Sequence, residues 1–138
     1  LSGNSIYKYA DATIGGTKKT VWGSDGANGT LISVAADGNI YALNTEGRLI
    51  KYFKGAKVGE VDLQLVPASG SRIFTSKDSA FVYLSDKAGK LVYVFDKATG
   101  ELKTTYNLSP AGIIKDISVS PDGSVWTLSI DNKIWVIR

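Results

Sequence analysis

Ile32-Ser33-Val34-Ala35-Ala36-Asp37-Gly38-Asn39-Ile40-Tyr41-Ala42-Leu43 aligns residue for residue with Ile117-Ser118-Val119-Ser120-Pro121-Asp122-Gly123-Ser124-Val125-Trp126-Thr127-Leu128. Between them, Ile73-Phe74-Thr75-Ser76-Lys77-Asp78-Ser79-Ala80-Phe81-Val82-Tyr83-Leu84 fits the same pattern with one added residue. The three copies begin at positions 32, 73 and 117, so the spacings are 41 and 44 residues. A repeat of that length is longer than an ankyrin or leucine-rich unit and matches a four-stranded propeller blade.

Each copy divides into short strands, because Val, Ile, Tyr and Phe favour pleated, packed positions while Gly, Asp and Asn supply the dihedrals of a reversal. Strand A is expected over 31–35, 72–76 and 116–120, and strand B over 39–43, 81–84 and 124–128. Asp37-Gly38 and Asp122-Gly123 sit between them as hairpin signals. Strand C follows Glu46-Gly47, Ala88-Gly89 and Asp131-Asn132, over 49–53, 91–95 and 134–137. Residues 6–9, preceded by Ser2-Gly3-Asn4-Ser5, belong to the same set, so the chain enters the repeat between B and C. Strand D covers 18–22, 60–65 and 101–106.

These thirteen strands make an all-β propeller segment of about three and a quarter blades, spanning 1–138 as one unit with blades at 1–22, 31–65, 72–106 and 116–138. The runs Phe81-Val82-Tyr83-Leu84 and Leu91-Val92-Tyr93-Val94-Phe95 do not alternate polar with apolar. That suits a blade covered on both faces rather than a sandwich strand with one wet face. Lys8, Lys51 and Lys103 place strands C and D nearer the rim. Tyr41, Tyr83 and Trp126 share one position in strand B, and Tyr7, Ile50, Val92 and Trp135 one in strand C, so all are expected in the core between blades.

Of the 138 residues, 43% are hydrophobic, 21% charged and 10% aromatic, the profile of an ordered domain rather than a disordered or collagenous chain. Lack of Cys and His excludes a disulfide framework, a thiolate nucleophile, a Cys/His zinc site and an imidazole acid–base relay. Sixteen Lys and Arg against thirteen Asp and Glu leave a net charge of only +3. Lys18-Lys19 and the spaced set Arg48, Lys51, Lys54 and Lys57 fall short of a nucleic-acid footprint, so no nucleic-acid partner is expected. No apolar run approaches the roughly 20 residues of a membrane helix, so no membrane insertion of this segment is expected. The chain holds no Met and starts at Leu1, which reads as a segment of a longer protein.

The stretch Ser120-Pro121-Asp122-Gly123-Ser124-Val125-Trp126, with Lys133-Ile134-Trp135-Val136 closing the repeat, resembles bacterial propellers of the NHL, lyase-like and lactonase-like kind. Ala36 to Leu43, Gly47-Arg48-Leu49-Ile50-Lys51-Tyr52 and Arg72 to Ser79 resemble the C-terminal propeller region of multidomain bacterial proteins. The resemblance implies a bacterial, extracytoplasmic or cell-envelope setting. It also implies chemistry by His, or by a carboxylate-held metal, in the central channel. With His absent, only a hard cation on carboxylates would remain.

Asp25, Asp37, Asp78, Asp122 and Asp131 mostly fall in turns, where Asp has a backbone role, and no metal or cofactor is expected. Ser24-Asp25-Gly26-Ala27-Asn28-Gly29 lacks the alternating acids and terminal Glu of an EF-hand loop and reads as a blade-to-blade connection. Gly15-Gly16 and Gly89 complete no phosphate-binding motif. A catalytic Ser would need a base; the only Ser-x-x-Lys match, Ser5-Ile6-Tyr7-Lys8, runs into a strand instead of opening a helix.

The expected function is therefore non-catalytic: a binding or scaffold module presenting connecting loops to a protein, peptide or glycan partner. Its face is built from the D-to-A loops 23–30, 67–72 and 109–115 together with the B-to-C turns, which lie on one side of each blade. Asp25, Asn28, Arg72, Lys115 and Asp131 are the candidate binding residues, with Trp22 and Tyr106 as aromatics at the ends of D strands. One rival is a fragment of a metal-dependent lyase or hydrolase whose active residues lie in further blades.

The other rival is homo-oligomerisation, two copies closing a ring through their open blade edges. Two such junctions would contribute on the order of 10 to 20 kcal/mol gross, against an association cost of about 4 to 15. That reading predicts a stable species at twice the chain mass in light scattering across a concentration series; a folded monomer throughout would remove it.

Overall fold

The computed structural model describes residues 6–9, 19–23, 29–35, 37–65, 71–75, 80–86 and 88–137. They form thirteen strands: β1 (Ile6–Tyr9), β2 (Lys19–Gly23), β3 (Gly29–Val34), β4 (Ile40–Asn44), β5 (Arg48–Phe53), β6 (Ala56–Asp62), β7 (Arg72–Thr75), β8 (Phe81–Ser85), β9 (Leu91–Asp96), β10 (Leu102–Asn107), β11 (Ile114–Val119), β12 (Val125–Ser129) and β13 (Ile134–Ile137). Every pairing is antiparallel between consecutive strands. The result is four separate sheets, β1-β2, β3 to β6, β7 to β10 and β11 to β13. Among the described residues the one helical element is a 3-10 turn, Ser109–Ala111. This is the all-β, partial-propeller architecture expected from the repeat.

The same position anchors each B-to-C turn from inside. Asn44 Oδ1 accepts the N–H groups of Glu46 and Arg48, both at 2.9 Å. Asp86 Oδ1 accepts those of Lys90 and Leu91, at 2.7 and 3.1 Å. Ser129, three residues after Trp126 as Asn44 is after Tyr41 and Asp86 after Tyr83, shares its one hydroxyl proton between Asp131 Oδ1 and the Lys133 carbonyl, the latter at 3.1 Å. Three positions further on, Gly47, Gly89 and Asn132 take φ of 84°, 66° and 62°, the left-handed region that Gly and Asn tolerate.

Two details differ from the sequence expectation. Strand D of the second sheet begins at Ala56 rather than at 60, because Lys54 and Gly55, with φ of 49° and 87°, make a two-residue hairpin that restores pairing at once, Phe53 opposite Ala56. It also ends earlier, at Asp62, whose carboxylate accepts the Gln64 N–H at 2.7 Å. In strand C, Val92 does not share the position of Ile50 and Trp135. Ile50 lies opposite Ala42, Trp135 opposite Thr127 and Tyr93 opposite Leu84, so Tyr93 is their equivalent and Val92 points to the other face.

Packing lies between sheets. Tyr41, Leu43 and Leu49 of the second sheet, with Leu63 just after β6, bury against Ile73, Val82, Leu84 and Phe95 of the third. Tyr83, Val92 and Val94 of the third, with Leu108, bury against Ile117 and Val125 of the fourth. Each fully buried aliphatic or aromatic side chain contributes about 1.5 to 3 kcal/mol. The first strands of the second and third sheets also touch directly, Ser33 Oγ lying 2.8 Å from Thr75 Oγ1 and accepting the Thr75 N–H at 3.1 Å.

Trp126 and Trp135 depart from the buried role expected of them: they are 40% and 43% exposed. Trp126 occupies the position of Tyr41 and Tyr83, but no described sheet lies over the outer face of β11 to β13, where Ile134 and Val136 are exposed too. The position is a core position only where a neighbouring sheet follows.

Gly100 marks a close approach between the second and third sheets. Its φ is 76°, and a Cβ there would run into the backbone carbonyl of Asp62 in the preceding sheet. Gly38 has φ of 83° with nothing within 4 Å of its Cβ direction. Gly100→Ala should therefore cost about 2 kcal/mol or more in urea denaturation, above the roughly 1 kcal/mol of Gly38→Ala, which carries backbone strain alone. Equal midpoints would contradict the close approach.

Candidate binding face

In an antiparallel meander the B-to-C turns and D-to-A segments lie at one end of every sheet and the A-to-B and C-to-D turns at the other. The first end brings two of the expected residues together. Arg72 opens β7, where its own N–H donates to Ser85 Oγ at 3.2 Å. Its guanidinium Nη1 donates to Asp116 Oδ1 in β11, so one side chain bridges two sheets. That hydrogen bond, aided by the Ile117 N–H at 2.9 Å, holds the Asp116 carboxyl below the usual range. Arg72, Lys115 and Asp116, with Ser85, Asp86 and Gly89, line a hollow of about 80 Å³.

Asp131 stands in the next B-to-C turn along this face. It takes a hydrogen bond from Ser129 Oγ and pairs with Lys133 Nζ at 2.8 Å. This turn is tied to the segment before β11 by the Ile130 N–H donating to the Ile113 carbonyl at 3.0 Å. Asp131 is not part of the Arg72 hollow. Tyr106 is half-buried and packs against the Val92, Leu108 and Ile117 cluster. Trp22 falls in β2, and Asp25 and Asn28 lie outside the described residues.

Asp116 was not among the residues singled out from sequence, since a single acid near the start of a strand A carries no motif. Nor was the group at the opposite end of the sheets, where a cavity of about 500 Å³ opens between the second and third sheets. Asp37, Tyr41, Lys51, Glu60 and Lys97 line it. Lys97 and Lys51 set their Nζ atoms 5.2 and 6.0 Å from the centroid of the Tyr41 ring. Burial raises the Tyr41 phenol above its usual range, with the Asp37 charge adding to it. Burial also lowers the Lys97 ammonium, Asp37 opposing that effect and Lys51 reinforcing it. The Asp37 carboxyl is held low chiefly by the Asn39 N–H at 3.0 Å.

Among the described residues, no group of three His, Cys, Asp or Glu stands close enough to hold a metal ion. No helix among them is long and apolar enough to cross a membrane.

No protein-family model matches the chain, and no curated protein matches it either. Solved structures do match in fold. Selenomethionine-substituted virginiamycin B lyase from Staphylococcus aureus superposes with a TM-score of 0.56 at 15% identity, covering 99% of this chain and 49% of that one. Hsv2 from Kluyvelomyces marxianus gives 0.55 at 16%, covering 87% and 38%. BamB from Moraxella catarrhalis gives 0.49 at 18%, covering 76% and 30%. All three are β-propeller proteins, and this chain spans half or less of the length of each. On the first two superpositions the chain has the β-propeller fold, at identities where likeness speaks for fold alone.

The Asp131 carboxyl is lowered to about 2, first by Lys133 and then by Ser129. A depressed carboxyl favours the folded state above the ordinary carboxylate range, and its contribution fades as pH falls through about 2. Carboxyl-carbon NMR should place its titration there, and Lys133→Ala should move the midpoint upward. A midpoint unchanged by that substitution would dissolve the pairing.

Proposed function

We propose that this chain is a non-catalytic binding module that presents the face around Arg72, Lys115 and Asp131 to a protein or peptide partner. The Arg72–Asp116 bridge carries this reading, because it fixes polar groups of two sheets side by side on the loop end of the arc. The hollow beside it, about 80 Å³, is well below the 300 to 1,000 Å³ or so of small-molecule pockets, which favours recognition across a surface. Charge is mixed there: Arg72, Lys115 and Lys133 stand among Asp86, Asp116 and Asp131, an arrangement suited to selecting a partner by complementary pattern. Tyr106, packed against the core, offers no open ring for stacking on a sugar, so a polypeptide fits better than a glycan. A sequence without His or Cys leaves no imidazole relay and no thiolate nucleophile, which supports the non-catalytic reading.

A random-peptide display selection on the immobilised chain tests this. Peptides so obtained should bind the triple variant Arg72→Glu, Lys115→Glu, Asp131→Lys about tenfold or more weakly, a loss of about 1.4 kcal/mol, and should bind Lys103→Glu on the outer strand β10 as before. Equal retention by both variants would overturn the assignment of the face.

A further inference from the structure

We propose that the outer edge of β13, with the apolar face of the fourth sheet beside it, is a docking site for an extended segment of a partner protein. The segment joins the sheet antiparallel as a fourth strand and ends in the pattern apolar residue, Asp or Asn, Leu. Its backbone pairs with Ile134 and Val136, and its leucine N–H donates to the carbonyl of Asn132.

The parity of the ladder leaves that edge open. The Ser129 N–H donates to the Lys133 carbonyl at 3.0 Å and Thr127 lies opposite Trp135, so Lys133, Trp135 and Ile137 turn their backbone groups towards β12. The N–H and C=O groups of Ile134 and Val136 therefore point the other way, where among the described residues no strand follows. Natural sheet edges are commonly blunted by charge, proline or a bulge. Residues 134–137 carry neither charge nor proline, and the β12–β13 register runs without a shift. Ile134 and Val136 are 70% and 41% exposed. With Trp126 and Leu128, Ile134 lines a hollow of about 260 Å³.

The second and third sheets show what such an edge accepts. Three residues before Ile50 and Tyr93, the carbonyls of Gly47 and Lys90 accept the N–H groups of Leu63 at 3.0 Å and Leu108 at 2.7 Å. Asn132 holds the same place before Trp135. Both leucines are buried. Two residues earlier in each added strand, Val61 lies opposite Leu49 and Tyr106 opposite Val92, the counterparts of Ile134. Between them stand Asp62 and Asn107. Their side-chain oxygens accept the N–H groups of Gln64 at 2.7 Å and Ser109 at 2.9 Å, which turns the chain off the edge just past the leucine. Val61-Asp62-Leu63 and Tyr106-Asn107-Leu108 thus share one pattern, set by backbone pairing and by alternate side chains on one face of the sheet. On the fourth sheet the two apolar side chains of that pattern lie over the Ile134 face and cover surface that is now open to water.

The probe is a synthetic peptide with the sequence of residues 101–109, Glu-Leu-Lys-Thr-Thr-Tyr-Asn-Leu-Ser, added to the full chain and followed by amide NMR. It should shift the Ile134 and Val136 amides saturably and slow their exchange with solvent. Replacing the peptide's second leucine by alanine, or N-methylating it, should weaken binding about tenfold. Val136→Pro removes an outward N–H and leaves the β12 ladder intact, so it should abolish binding while the amide spectrum stays dispersed. No saturable shift at millimolar peptide, shifts confined to other strands, or undiminished binding of the N-methylated peptide would each overturn the proposal. A dimer of the free chain that Val136→Pro dissolves would also overturn it, by giving the edge to a second copy. Peptides of the loop face are scored by Arg72 and Lys115 and this one by Val136, so either assignment can fail alone.

Discussion

Burial of both faces of a narrow antiparallel sheet against neighbouring sheets is the constraint on which the rest of this structure depends. A three- or four-stranded meander has too little apolar area within itself to stand alone in water, and its inner strands here carry buried apolar residues on both sides. Tyr41, Leu43 and Leu49 find their cover in Ile73, Val82, Leu84 and Phe95, and Tyr83, Val92 and Val94 find theirs in Ile117 and Val125. The chain is therefore a stack in which each sheet serves as the core partner of the next. Where no described sheet follows, Trp126, Ile134 and Val136 remain exposed at positions that are buried elsewhere.

That same stacking shapes the hollows at both ends of the sheets. At one end of the sheets, closure between neighbours brings Arg72 onto Asp116 and leaves only a shallow hollow. At the other, the C-to-D turn of the third sheet reaches over the second, and the space beneath it is walled by core side chains and two lysines. Gly100 lies between the two behaviours: its missing side chain lets the turn come down onto the Asp62 carbonyl. A bulkier residue would hold the sheets apart there, and with them the residues on either side.

Local chemistry made the turns legible. Asp37-Gly38 and Asp122-Gly123 are hairpins because Asp accepts the N–H two residues on, Asn39 for the first and Ser124 for the second, each at 3.0 Å. The periodic signal was weaker inside strands that lack alternation. The run Leu91 to Phe95 is apolar throughout, so nothing in it distinguishes the face of Val92 from that of Tyr93, and a one-residue slip reverses both. The start of β6 was missed for a related reason: Lys54-Gly55 is a tight turn only when Lys54 adopts a positive φ, which lysine rarely does and which its identity does not announce.

The sequence by itself determined the all-β class, the thirteen strands, their grouping by a repeat of just over forty residues, and the loop end that carries Arg72, Lys115 and Asp131. These follow from spacing and turn chemistry, which act over a few neighbouring residues. Tertiary structure alone decided that Arg72 meets Asp116, 44 residues away, and that Lys97 and Lys51 share the ring of Tyr41. Such contacts depend on the distance and rotation between adjacent sheets, which are set by how side chains from separate repeats interlock.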